Sequence, residues 1–273
     1  MYITPSACKL KAAKALRGRW ITALLVVFCA SLPITIVQLM SSNLINVYAI
    51  ATPEQLLAAV AAIPQARVTQ IGVASFLAFL LTPVLAVGCD WYLLRRLNGE
   101  ELGIQGLFAK LRLFGRALWL YTQIVVRVWL WSLLLIVPGI MAALRYSQAP
   151  YLIAEDDSLT ATQAIEKSKE LMRDKKANLF LLELTFIGWV LGQLAVELLL
   201  GGVSVILALV ASQFVSLFAA TYLNASVAAF HQAVTTQTTR DAMERDVTNV
   251  TSRFAQGNRD EPKDDQHKGD DEP

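Results

Sequence analysis

The sequence predicts an all-α fold, a polytopic transmembrane helical bundle, and three observations predict it. Apolar residues make up 55% of the 273 residues and charged residues 17%, where an ordinary soluble domain is about a quarter charged and under half apolar. Those apolar residues fall in blocks long enough to cross a bilayer, which takes about 20 residues at 1.5 Å rise each. Lys and Arg cluster beside the blocks, while acids collect toward the C-terminus. The pattern divides the chain into a basic amphipathic segment (1–19), a transmembrane domain (20–231) and a polar, largely disordered tail (232–273).

Within the basic segment, Ser6 to Arg19 puts Ala7, Leu10, Ala13 and Leu16 near one helical face and Lys9, Lys11, Lys14 and Arg17 around the other. Two readings fit: an interfacial helix whose cations attract anionic headgroups, or a charge cluster that orients the first span. Trp20 to Met40 carries no charge and is that span. It is too long for the apolar core of a signal peptide, and the small triplet Ala49-Ile50-Ala51 lies too far downstream to serve as its cleavage site, so it should stay as an anchor. Thr52-Pro53-Glu54-Gln55 then supplies a cap, a first-turn proline and a capping-box glutamine. A short helix to Ile63 should follow, with Leu56, Leu57, Val60 and Ile63 on one face against the membrane or the spans. Ile71 to Leu94 is the second span, with Asp90 near its end.

Leu118 to Val137 is the third block, interrupted by Arg127, and Pro138-Gly139 separates it from a further apolar run beginning at Ile140. Proline removes a donor and glycine tolerates positive φ, so the pair can kink one crossing or close a hairpin between two. Charge favours the hairpin. With two crossings, one side holds the N-terminal cations, then Arg95, Arg96, Lys110, Arg112 and Arg116, then Lys167, Lys169, Arg173, Lys175 and Lys176, leaving Arg67 alone on the other. By the positive-inside rule the chain therefore has six spans and two cytoplasmic termini in a bacterial cytoplasmic membrane. The returning arm, Ile140 to Ala154, is short, so it is tilted, re-entrant or shielded by protein.

The inner segment Glu155 to Lys176 opens with three acids and then Ser158 to Gln163, which starts an amphipathic helix with Leu159, Ile165, Leu171 and Met172 turned to the bilayer or bundle. Adjacent acids at a helix start are more readily a solvated cap than a divalent-ion site. Leu179 to Leu200, with Glu183 and Glu197, and Val203 to Phe230 complete the spans, joined by Gly201-Gly202. Gly188 and Gly192 have the spacing of a close helix seam, assigned to packing within the chain ahead of dimerisation. In the tail, Met243, Val247, Val250 and Phe254 recur at helical spacing, and Arg259 to Pro273 is too polar to fold.

Residues 138–156 (Pro138-Gly139-Ile140, then Arg145-Tyr146-Ser147-Gln148-Ala149-Pro150-Tyr151-Leu152-Ile153-Ala154-Glu155-Asp156), with Ser168-Lys169-Glu170-Leu171-Met172, Lys176, Leu179-Phe180 and Phe186-Ile187-Gly188-Trp189, form a pattern. It resembles the bacterial integral membrane family catalogued as domain of unknown function 975. The likeness extends over Trp20 to Phe230 and is most specific from Pro138 to Trp189; Asp174 departs from it where a glycine is expected. The resemblance implies a multi-span membrane protein, distantly like the membrane domains of some bacterial glycerophosphodiester phosphodiesterases, and brings no catalytic residue.

Ionisable groups inside spans are costly and so are the first candidates for a functional cluster. Here they are Arg127, Arg145, Glu183 and Glu197, which depth would pair as Arg127 with Glu183 and Arg145 with Glu197. Snorkelling or structural pairing is the plainer account. Gln123, Gln193, Gln213 and Asn224 add polar atoms that can bridge helices or line a cavity. Cys8, Cys29 and Cys89 have no metal-knuckle or disulfide spacing, His231 and His267 are far apart, and no phosphate-binding glycine loop or nucleophile motif is present. No catalytic residue, cofactor or metal ligand is assigned, and a nucleic-acid partner is excluded because no basic patch interleaved with aromatics occurs away from the spans. Three functions remain, in order: a non-enzymatic envelope component that binds lipids, a membrane-protein partner or its own copy; a small transporter or permease with a site at Pro138-Gly139; a membrane-embedded lipid enzyme.

Overall fold

The computed structural model describes residues 3–41, 52–201 and 205–257, and among them every regular element is helical. In chain order the helices are α1 (Pro5–Leu16), α2 (Trp20–Ser41), α3 (Pro53–Ala61), α4 (Gln65–Leu97), α5 (Phe114–Leu134), α6 (Ile136–Tyr146), α7 (Ala149–Glu155), α8 (Ala161–Leu171), α9 (Lys176–Leu184), α10 (Ile187–Gly201) and α11 (Val205–Gly257). Two short 3-10 turns, Ile104–Phe108 and Leu111–Leu113, link α4 to α5. The chain divides into two compact units at Val234. Five segments are long and apolar enough to cross a membrane: Trp20–Ser41, Gln65–Leu97, Ile104–Leu134, Lys176–Leu200 and Val210–Asn249. Their outward faces carry large apolar side chains, such as Phe76, Trp129 and Leu198, at 60% exposure or more. Apolar surface on that scale is a liability in water and the normal exterior in hydrocarbon.

The first unit is a set of helical hairpins that return to one charged end. α2 leads out and α4 leads back, so that Arg19, beside the start of α2, pairs with Glu101, just beyond α4, at 2.6 Å. The second hairpin begins at α5 and ends after α7. Asp157 there receives the Lys110 ammonium at 2.6 Å and the Arg112 guanidinium, and its backbone carbonyl accepts from Arg116. These contacts bring the two ends of the segment between Arg116 and Asp157 together. In the third, α9 and α10 lead to α11, and α1 lies over both ends: Lys9 sits 4.4 Å from the Phe186 ring, and the Tyr222 hydroxyl donates to the Lys9 carbonyl at 3.3 Å. Gln232 closes the set, donating to the Leu94 carbonyl and to Asn98 while accepting from Lys11.

Several expectations are corrected. The reversal of the second hairpin lies at Leu135, the one extended residue between α5 and α6, and Pro138-Gly139 falls inside the first turns of α6. Proline is tolerated there because the N–H it lacks has no intrahelical partner. Gly139 matters for packing. A Cβ at this position would collide with Ser132 Oγ and come 3.0 Å from Ser132 Cα, so its absence lets α6 lie on α5. α6 alone is 11 residues, about 16 Å. The full return from Ile136 to Glu155 nearly equals the 21 residues of α5, with its interruption at Ser147-Gln148.

α1 buries Cys8, Ala12 and Leu16, a stripe of spacing four against the bundle, whereas Leu10 from the expected apolar face is exposed. Small side chains let α1 approach closely, and burial pushes the Cys8 thiol up, as for a packing residue. α3 has its Thr52–Gln55 capping box, and Leu56 and Leu57 lie exposed on it. The cap of α8 is a second such box, Thr160 with Gln163, and Ala161, Ala164, Ile165 and Ser168 form its buried face. Nothing among the described residues lies within 4 Å of where a Cβ would stand at Gly188 or Gly192, so the expected intrachain seam is not formed. α11 runs on to Gly257, taking in the stretch 243–254 where apolar residues recur at helical spacing, and no proline or glycine interrupts 205–256. The expectations for Gly202 and Arg259 to Pro273 lie outside the described residues.

Gly139→Ala should cost about 1–3 kcal/mol by overpacking, read as a lower thermal midpoint in detergent. Adding Ser132→Ala should recover part of the loss; no recovery would mean that the contact does not set the hairpin.

Candidate functional site

α7 is only seven residues long, with Pro150 fixing its first turn. Gln148, Tyr151 and Glu155 stand three and four residues apart, on one helical face, and that face meets His231 of α11. The imidazole is fully buried. Its Nδ1 lies 3.0 Å from Gln148 Oε1 and its Nε2 3.2 Å from Glu155 Oε2. Beneath it the Tyr151 ring is stacked at 5.1 Å and 22°. Gln148 Nε2 donates to Ser147 Oγ at 2.8 Å, so the Gln148 oxygen is the atom turned to the imidazole.

From Tyr151 the network reaches deeper. Its hydroxyl lies beside the Asp90 carboxyl on α4, near which Tyr121 of α5 also lies. Thus four helices converge on a polar chain running from Glu155, 43% exposed at its side chain, through His231 and Tyr151 to Asp90 within the second span. Buried polar groups are costly when unpaired and rigidify a core when every member is satisfied. The arrangement therefore fixes α7 against α4 and α11. Both imidazole nitrogens are occupied by side chains that are not nucleophiles, which leaves neither free to deprotonate a Ser or Cys. Among the described residues no group of three or more His, Cys, Asp or Glu has metal-binding geometry.

The four charges singled out by sequence are not brought together. Arg127 is half-buried on α5, and its Nη1 is enclosed without a hydrogen-bond partner. Arg145 is half-buried in the last turn of α6, where its backbone carbonyl accepts from Ser168 Oγ at 2.8 Å. Glu183 and Glu197 are exposed on α9 and α10. Among the described residues the ion pairs join Arg19, Arg95, Lys110, Arg112 and Lys169 to other acids, so neither expected pairing is present. Gly139 packs closely on Ser132, and Pro138 is half-buried beside it.

His231, Gln148, Tyr151 and Asp90 were the residues missed. Their signals were present: Asp90 is the sole acid in its apolar block, and Gln148, Tyr151 and Glu155 sit at helical spacing inside the motif that carries the family likeness. Beside them, the exposed Asp156 carboxyl is held below its ordinary range by the Ser158 hydroxyl and N–H, both 2.6–2.9 Å away.

Hairpins with apolar exteriors, charged ends and a buried polar knot define a helical membrane protein. Residues 121–238 match the model of the family described as "Protein of unknown function (DUF975)". The chain is similar to that family over this stretch, which contains Gln148, Tyr151, Glu155 and His231. No curated protein and no solved structure matches the chain.

His231→Phe should keep the ring stack but leave buried Gln148 unsatisfied, a loss of about 1–3 kcal/mol. The double variant with Gln148→Leu should recover part of it; a double-variant loss equal to the sum of the two single losses would show that the residues are uncoupled. For Asp156, a lowered carboxyl contributes stability above the ordinary carboxylate range, lost as pH falls through the lowered value. Ser158→Ala should raise that titration toward the ordinary range in carboxyl NMR; an unchanged titration would show that Ser158 is not its cause.

Proposed function

We propose that the protein is a non-enzymatic component of a bacterial cytoplasmic membrane that works by holding anionic lipid headgroups at one basic end. The observation that carries this reading is the gathering, by three hairpins and α1, of Lys9, Lys11, Arg19, Arg95, Lys110 and Arg112 at a single end of the first unit. Cations next to a membrane surface gain about 1 kcal/mol each from anionic lipid, and the positive-inside rule puts such an end in the cytoplasm. On this reading the chain crosses six times, the two-part arm α6–α7 being one crossing, and both termini are cytoplasmic. The Asp90–Tyr151–His231–Glu155 cluster is then a rigid frame that keeps the basic end in one shape.

The test is thermal unfolding of the purified chain in nanodiscs of phosphatidylglycerol and of phosphatidylcholine. The anionic bilayer should raise the midpoint, and the difference should shrink at about 1 M salt, where the screening length is roughly 3 Å. Equal midpoints at low salt would contradict the proposal.

A further inference from the structure

We infer that the groove between α1 and the end of α4 is a discrete site for one anionic glycerophospholipid, with the headgroup phosphodiester on Lys14, Arg17 and Arg96 and the top of an acyl chain on Leu10 and Leu97. The inference rests on the lipid-binding reading above and gives it a specific place. The groove has a volume of about 640 Å³, and Lys11, Lys14, Arg17 and Arg96 supply its cationic side chains. A space of that size accommodates a headgroup. The one acid on its wall, Glu101, is already held by Arg19 at 2.6 Å.

Arg96 is the key residue. It is 9% exposed, and its Nε is buried with no hydrogen-bond partner, while Nη1 makes only a long contact of 3.4 Å to the Glu100 carbonyl. An enclosed guanidinium with an unused donor is costly, and a phosphate oxygen is the acceptor that its planar fork suits. Lys11 is engaged by Gln232, so Lys14 and Arg17, exposed in the last turn of α1 and just after it, complete the cationic wall. Gly99, which lines the groove, turns the chain after α4 at φ +87°, where a side chain would be strained.

Charge alone would suit a free phosphate. The apolar wall decides for a lipid: Leu10 is 57% exposed and lines the same groove as Leu97, an expense in water that an acyl chain removes. The location agrees, because Arg17 lies just before the first span, separated from it by Gly18 and Arg19, and Arg96 lies in the last turn of the second.

Native mass spectrometry of the full chain with added phosphatidylglycerol tests the site. The natural chain should retain one lipid through activation that strips the others. Lys14→Gln with Arg17→Gln should lower that retained species about ten-fold or more, and Leu10→Asp should lower it too, whereas Lys167→Gln with Arg173→Gln, exposed cations away from the groove, should leave it unchanged. Equal losses in the groove and control variants, with the anionic preference in nanodiscs intact, would overturn the site and spare the broader reading. Absence of that preference in the natural chain would overturn both. Displacement of the lipid by inorganic phosphate at equal concentration would assign the groove to a free anion and also overturn it. A photoactivatable phosphatidylglycerol on the unmodified chain provides a readout that needs no variant: crosslinks should map to residues 7–17 and 96–101, and crosslinks spread over the spans would count against a discrete site.

Discussion

The return of each hairpin to a shared charged end is the constraint on which the rest of the first unit depends. Hydrocarbon offers no partner for a backbone N–H or carbonyl, so the chain crosses as helix and turns only where water or protein can satisfy it. Asp157 shows how this constraint is enforced in the second hairpin. The acid after α7 is held by Lys110 and Arg112 from the segment before α5, and Arg116 takes its carbonyl. Both ends of an excursion of about forty residues are thereby tied together. Arg19 with Glu101, and Gln232 with Lys11 and Asn98, do the same for the neighbouring hairpins.

The buried polar network has a related role. The return arm of the second hairpin is interrupted at Ser147-Gln148, where one helix ends and the next begins. Interruptions in a membrane arm survive only when protein provides the missing partners. Here Ser168 caps the Arg145 carbonyl, Gln148 bonds to Ser147 and His231, and Tyr151 reaches Asp90. These residues, Asp90 apart, lie within 121–238, the stretch similar to the family.

Much of this was legible in the sequence. Uninterrupted apolar length marked the spans, because a bilayer imposes it, and the placement of Lys and Arg marked the hairpin. The helix starts at Thr52 and Thr160 were readable or nearly so from capping chemistry. Less was legible where the answer depended on which helix faced which. Arg127 and Arg145 suggested ion pairs by depth alone, but depth says nothing of azimuth, and Glu183 and Glu197 point outward. His231 looked isolated along the chain, since its partners lie 76 and 83 residues away. The face of α1 was misread because alanine and cysteine are nearly neutral markers, and close packing favoured Cys8 and Ala12 over the larger Leu10.

The most direct measurement is sided labelling of single cysteines with a membrane-impermeant maleimide, after replacement of Cys8, Cys29 and Cys89 by alanine. Glu100→Cys, Ser158→Cys and Asp174→Cys should all react from one side of the membrane, and Ala62→Cys from the other. Reaction of Ser158→Cys from the side opposite Glu100→Cys would contradict the account, for it would separate Asp157 from the cations that hold it.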